Sequence, residues 1–394
     1  MIARCFAVCM ITLSLSVVGR AIYAEEPQVD SEILSIQAKI EKVFSELRAE
    51  TDFPGVGVSF VLADGRTGVV TCGMANVEEN IPVTSADRFL AGSVGKMFVA
   101  AVTSQLAEEG KLSLDDRVEK WIGDEPWFQR LPNAPELTVR SLLNHTAGLP
   151  EYYDQAGIAD EIKGNSNREW TPYDRLKYVL DQKPLFAVGE GWSYADTNYI
   201  LIGLIAERAS GKPLFELIDA QLLKPLNLNG IVPSSTHEID RLIPGYASPT
   251  NPLGLSGRMV IDGKLIINPQ IEWAGGGLAT TPSDLARWAK FLFEGKAFRR
   301  AETLETMLSG VEMAKGRGTK IPKYGIGVMI RDSKWGPVYG HGGWFPGYRT
   351  ELAYFPERKT AIAVQFNTDA NTTLKKSVSA YLMDVAQILF EPAE

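Results

Sequence analysis

Between positions 32 and 48, apolar Ile33, Ile36, Ile40, Val43, Phe44 and Leu47 recur every three or four residues, which predicts a helix with one buried face. After Pro54 the period shortens to two. Val56, Val58, Phe60 and Leu62 alternate with smaller residues, Asp64 and Gly65 supply a hairpin turn, and 68–73 returns as a second strand. Helical spacing resumes in Met97, Phe98, Ala101, Val102 and Leu106, predicting a helix that opens at Ser93, runs to Glu109 and stops at Gly110. From 112 to about 244 the texture stays helical. Thr138 reads as the cap of a helix over 139–144, and a longer helix over 198–209 ends at Gly211, with Asp196 or Thr197 as its cap. Thr281, Pro282 and Asp284 open another helix with the chemistry of a capping box. Short β-rich stretches at 324–330, 338–340, 348–355 and 360–366 suit an antiparallel meander, and 377–389 closes as an amphipathic helix. The order predicts an α/β fold. An antiparallel sheet flanked by helices, drawn from 30–111 and 265–394, is interrupted by a mostly helical insertion over 112–264.

Composition narrows the partners. The chain has 394 residues, 45% of them apolar, and a formal charge of −8, and it carries no Lys/Arg-rich run. This argues against nucleic acid and leaves a small molecule or peptide as the partner. The first 24 residues combine Arg4, an apolar run from Cys5 to Val18 and a small Ala24 before Glu25. That is the layout of a secretory signal peptide, and it predicts an exported, periplasmic protein with no stable membrane span after cleavage. Cys5 and Cys9 would leave with the signal, so Cys72 is left with no cysteine to pair with, as a small residue in a strand.

Candidate chemistry concentrates in Ser93-Val94-Gly95-Lys96, the chain's one S-x-x-K. A serine hydroxyl is a poor nucleophile until a neighbouring base takes its proton, and a lysine three positions on lies one helical turn along the same face. Tyr194, on the loop entering the helix at 198, is a candidate proton shuttle beside such a pair. His145, in the turn His145-Thr146-Ala147-Gly148-Leu149-Pro150, reads as a histidine bonded to loop backbone, because no second histidine stands at metal-ligand spacing. Gly275-Gly276-Gly277 reads as a close-packed turn, since no Lys-Ser/Thr follows to complete a phosphate loop.

Ser93-Val94-Gly95-Lys96, Tyr194-Ala195-Asp196 and His341-Gly342-Gly343, with flanking Leu142 to Pro150, resemble the penicillin-recognising serine hydrolases related to class C β-lactamases and D-Ala-D-Ala carboxypeptidases. The resemblance implies a β-lactamase/transpeptidase-like fold and an acyl-enzyme on Ser93, with Lys96 and Tyr194 exchanging protons. It implies that the backbone N–H groups of Ser93 and Trp344 form the oxyanion hole and that the strand bearing His341, Gly342 and Gly343 walls the cleft. Gly342 and Gly343 would keep side chains from crowding the substrate. Arg349 would supply carboxylate binding and Asp196 would join the substrate-binding set. No metal or organic cofactor is implied, and the oligomeric state stays open.

Two positions depart from the family's usual motifs. Asp196 stands where Asn is usual, and a carboxylate there would raise the pKa of Lys96, leaving it a fixed cation while Tyr194 carries more of the proton transfer. His341 stands where Lys is usual in β-lactamases, which favours peptide or ester chemistry on a D-amino-acid substrate. The alternatives are a β-lactamase, or a weakly catalytic sensor that binds penicillins or peptidoglycan.

Overall fold

The computed structural model describes residues 30–313 and 322–391, so the expected signal peptide lies outside the described residues. Helix α1 (Ser31–Thr51) starts where the Asp30 side chain accepts the N–H groups of Glu32 and Ile33, and it ends at Asp52 in the left-handed conformation. Its buried stripe is Ile33, Ile40 and Phe44, as the spacing predicts. Strands β1 (Gly55–Val61), β2 (Thr67–Asn76) and β3 (Ile81–Pro82) follow, and the later chain adds β4 (Val311–Glu312), β5 (Lys323–Tyr324), β6 (Met329–Ser333), β7 (Gly336–Phe345), β8 (Tyr348–Phe355) and β9 (Thr360–Phe366).

These nine strands form one antiparallel sheet in the order β4-β5-β6-β7-β8-β9-β1-β2-β3. The β1–β9 pair, with Val58 opposite Val364, joins the two ends of the chain into one sheet. Every residue of β1 and β9 is buried, although β1 alternates in sequence like a strand with one wet face. The reason is that both faces of the sheet centre are covered. On one face, α1 and the C-terminal helix (Val378–Phe390) enclose Phe44, Phe53, Phe366 and Tyr381, whose rings meet at 5.2–6.1 Å. On the other, the helix Pro282–Phe293 packs on β1, β8 and β9. Its Trp288 stacks on Phe98 at 4.1 Å, and truncating such a buried indole costs about 3–5 kcal/mol.

Between residues 112 and 264 short helices dominate, but Ile231–Pro233 pairs with Leu278–Thr280, which also pairs with Phe89–Leu90. This small three-stranded sheet ends beside the turn that carries Ser93. The expected strand 324–330 is divided between β5 and β6 by a turn at Gly325–Val328, and the expected 338–340 is the middle of the ten-residue β7.

Candidate active site

Ser93 sits in a 3-10 turn, Gly92–Gly95, that feeds the helix Lys96–Glu108. Gly92 has φ 53°, a left-handed conformation that favours glycine, and a Cβ there would reach the backbone of Trp344 in β7. The serine turn is thereby pressed against the strand. Lys96 is fully buried, yet each of its three ammonium protons has an acceptor. Nζ lies 3.0 Å from Ser93 Oγ and 2.5 Å from the carbonyl of Gly275, and it is ion-paired with Asp196. Gly95 and Gly276 allow this approach, because a Cβ on Gly95 would collide with the Gly276 carbonyl. The triple glycine is thus the close-packed turn expected.

Tyr194 and Asp196 come from the start of the helix Asp196–Ser210. Neither Asp196 nor Thr197 caps it. Thr197 Oγ1 donates to the Pro150 carbonyl, Asp196 turns to Lys96, and the N–H of Asp196 donates to the carboxylate of Glu151 instead. A distant glutamate has replaced the local cap, which frees Asp196 for the lysine. Glu272 adds a third carboxyl at 4% exposure. Burial first, and the Asp196 charge second, push both Glu151 and Glu272 up to about 8. Burial alone would pull the proton off Lys96. The Asp196 carboxylate and Tyr194 outweigh it, and Lys96 is held above the ordinary lysine range.

The Tyr194 hydroxyl is buried and makes no hydrogen bond of ordinary geometry, but it lies within reach of both Ser93 and Lys96, with Nζ 5.0 Å from the ring centre. Burial pushes it up to about 12, opposed by the Lys96 charge. Its ring stands 6.0 Å from that of His341.

His341 is fully buried in β7. Its Nδ1 is 2.6 Å from the Gly342 carbonyl, which can only accept, so Nδ1 carries the proton. Nε2 then accepts from the Tyr324 hydroxyl at 2.8 Å. Both ring nitrogens are used. Burial, then the Lys96 charge, lowers its pKa to about 3, leaving it neutral. Both glycines line the cleft, and each also allows a close approach: a Cβ on Gly343 would strike the Ala91 carbonyl beside the serine turn, and one on Gly342 would sit 3.0 Å from Glu351 Oε2.

A cleft of about 440 Å³ joins Ser93, Tyr194, His341, Trp344 and Arg349, and Met313 and Met329 add apolar surface to its lining. Arg349 is half-buried there, and its Nε has no hydrogen-bond partner. A second cavity of about 200 Å³ reaches Ser93 from the side of Glu151, Asp196 and Glu272. Seven of the sequence-derived residues therefore line the cleft, while Lys96 and Asp196 lie beneath it. Glu151, Glu272 and Tyr324 were not expected. Glu151 directly follows the Leu149-Pro150 turn and Tyr324 starts a predicted strand, but nothing in either neighbourhood marks a site residue. Among the described residues no group of three His, Cys, Asp or Glu side chains is arranged to hold a metal ion, and no helix is long and apolar enough to cross a membrane.

A family model described as Beta-lactamase matches residues 40–387. The chain is 26% identical over 319 residues to penicillin-binding protein 4* of Bacillus subtilis, covering 78% of this chain and 66% of the relative's length. It is 27% identical over 352 residues to esterase EstB of Burkholderia gladioli, covering 79% of this chain and 87% of the esterase. A solved D-stereospecific amidohydrolase from Streptomyces superposes with a TM-score of 0.76 at 24% identity, over 91% of this chain and 99% of that one, which shows a shared fold. The chain belongs to the beta-lactamase family and is a serine hydrolase.

Proposed function

We propose that the protein is an exported serine hydrolase that carries an acyl group on Ser93 and acts on a D-amino-acid peptide, amide or ester. The observation that carries this reading is the fully coordinated ammonium of Lys96, 3.0 Å from the Ser93 hydroxyl and beside Tyr194. Lys96 stays charged and favours the developing serine alkoxide. The serine proton leaves through Tyr194, which returns it to the leaving amine or alcohol, and water repeats the exchange in deacylation. Ionised Tyr194 is a small minority near neutrality, so acylation should accelerate as pH rises until the phenol titrates. The backbone N–H groups of Ser93 and Trp344 serve as the oxyanion hole, each donor contributing about 3 kcal/mol. Arg349 attracts a substrate carboxylate in place of the neutral His341, and the methionine lining takes an apolar side chain. Export rests on residues 1–24 alone.

The test pairs a fluorescent penicillin with a D-amino-acid p-nitroanilide and a short p-nitrophenyl ester. We expect covalent labelling of the wild type, none of Ser93→Ala, and turnover of the anilide or ester. Rapid turnover of a chromogenic cephalosporin would instead favour a β-lactamase, and labelling without turnover of any substrate a sensor. Unchanged labelling of Ser93→Ala sinks the reading.

A further inference from the structure

His145 lies outside the chemistry above, yet its surroundings tie it to Tyr194 on three sides. It is fully buried and holds a left-handed backbone with φ 61°, a conformation strained for a non-glycine residue that persists where neighbours enforce it. The carbonyl of His145 accepts the N–H of Ser193 at 3.1 Å, and Nδ1 accepts the N–H of Ala195 at 3.3 Å. Those are the residues immediately before and after Tyr194. Between these two bonds the imidazole packs against the Tyr194 ring with centroids 4.4 Å apart. The Asn198 amide, 2.9 Å from Nδ1, braces the imidazole from the helix that follows.

The bond from Ala195 N–H requires an Nδ1 lone pair, so the proton of the neutral ring is on Nε2. Nε2 has no hydrogen-bond partner, and the imidazole is packed among rings whose centroids lie 5.4 Å (Tyr199), 4.8 Å (Tyr324) and 6.1 Å (Trp192) from its own. The charged and titratable groups facing His145 are Lys96 and His341, with the phenols of Tyr194, Tyr199 and Tyr324. Burial and the Lys96 charge oppose a second proton. A protonated ring would also lose the Ala195 bond.

We infer that His145 is the positioning residue for Tyr194: as a neutral imidazole protonated on Nε2, it clamps both flanks and one face of the tyrosine so that the phenol is held over Ser93 and Lys96. This rests on the reading of Tyr194 as the proton carrier. Because misplacing a catalytic group by about 1 Å can lower a rate about 100-fold, loss of the clamp should reach the chemical step while leaving substrate binding intact.

The test compares limiting acylation rates of Ser93 and their pH profiles for His145→Phe, His145→Asn, Asn198→Ala and Tyr194→Phe, with thermal denaturation of each. His145→Phe keeps a ring but removes the Nδ1 acceptor, and we expect a rate about 100-fold lower at unchanged KM, with the alkaline limb moved to lower pH as water reaches the phenol. His145→Asn keeps an acceptor near the Nδ1 position and tolerates positive φ, and should recover to within about tenfold of wild type. Asn198→Ala should lower the rate about tenfold with KM unchanged. A wild-type rate and pH profile in His145→Phe overturns the inference, as does a parallel loss in His145→Phe and His145→Asn that merely tracks thermal stability. If His145→Phe does not fold, a wild-type rate in Asn198→Ala overturns it. Tyr194→Phe acylating normally would remove the reading on which the inference rests, whereas a slow Tyr194→Phe beside a normal His145→Phe removes the clamp alone.

Discussion

Lys96 and His341 are both basic, both fully buried and both within reach of Tyr194, yet their surroundings drive them in opposite directions. Lys96 keeps its proton because a carboxylate and two oxygen acceptors meet its ammonium. His341 stays neutral because burial and the nearby Lys96 charge oppose a second proton, and the Tyr324 hydroxyl already occupies the nitrogen that would take it. Burial penalises both charges equally in kind; the neighbouring groups decide which charge survives. One wall of the site is therefore an electrostatic device, and the other is a shaped surface.

The largest effect should come from removing the surviving charge. Lys96→Met would leave Asp196, Glu151 and Glu272 together without a cation, and we expect acylation to fall at least about 1000-fold, by the size of effects seen when a member of a nucleophile–base unit is lost. Stability should fall by about 3–5 kcal/mol, as for other buried pairs deprived of one partner. The double variant Lys96→Met/Asp196→Asn should regain most of the stability and none of the activity. If the double variant is no more stable than the single one, the carboxylate is not what Lys96 holds in place.

Asp196→Asn tests the same wall with less damage. Removing the carboxylate removes the main influence that raises Lys96, so the lysine loses its proton more readily and the neutral amine becomes available as a base. The acylation pH profile should move to lower pH by about one unit or more, the scale of a single close charge. An unshifted profile would show that Asp196 and Lys96 are not coupled in the reaction.

How much of this was written in the chain differs between the two walls. The spacing of Ser93 and Lys96 is local, one turn of a helix, and the strands 348–355 and 360–366 were readable from β-rich runs bounded by turns. His341 is readable in the chain only as a replacement for a lysine; its neutral state comes from burial and the Lys96 charge, and its hydrogen-bond partner Tyr324 lies seventeen residues away on another strand. Glu151 and Glu272 were invisible for a related reason. An isolated glutamate reads as a solvated charge, and only the tertiary contact with the Asp196–Ser210 helix turns Glu151 into its cap. The same exchange explains why the local capping expectation for Asp196 failed: its side chain had a stronger partner in Lys96. The close approach that Gly343 allows also required the fold, because the atom it avoids belongs to Ala91.

The buried acids and histidines should be visible together in the pH dependence of stability. Glu151 and Glu272 keep their protons to about pH 8 in the fold and release them near 4.5 when unfolded, so they reduce stability as pH rises through that window. His341, held down to about 3, and His145, also lowered, do the reverse: the unfolded chain binds their protons below about 6.5, so stability falls as pH drops from there. The two pairs offset one another between about 4.5 and 6.5, giving a plateau with losses on the order of a few kcal/mol on either side. Glu272→Gln should flatten the alkaline decline and leave the acid one. Thermal denaturation from pH 4 to 9 checks this, and a stability that rises from pH 6.5 to 8 contradicts it.

The smallest effect belongs to the shaped wall. Tyr324→Phe retains the ring that packs on His145 but deletes the hydroxyl that donates to His341 Nε2, leaving one buried acceptor unpaired. The loss should be about 1–3 kcal/mol of stability, with catalysis reduced less than in any variant of the lysine wall. Because the tyrosine donates to the neutral form of His341, its removal makes protonation easier, and the ring should titrate above its present value of about 3. Imidazole NMR shifts recorded against pH report this directly: in the wild type His341 should keep its Nδ1–H tautomer from pH 5 to 8, and in Tyr324→Phe the onset of protonation should move upward. A wild-type His341 that titrates near 6.5 would make the two walls alike, with a charge available on both, and a substrate carboxylate would then have a second cation to choose besides Arg349.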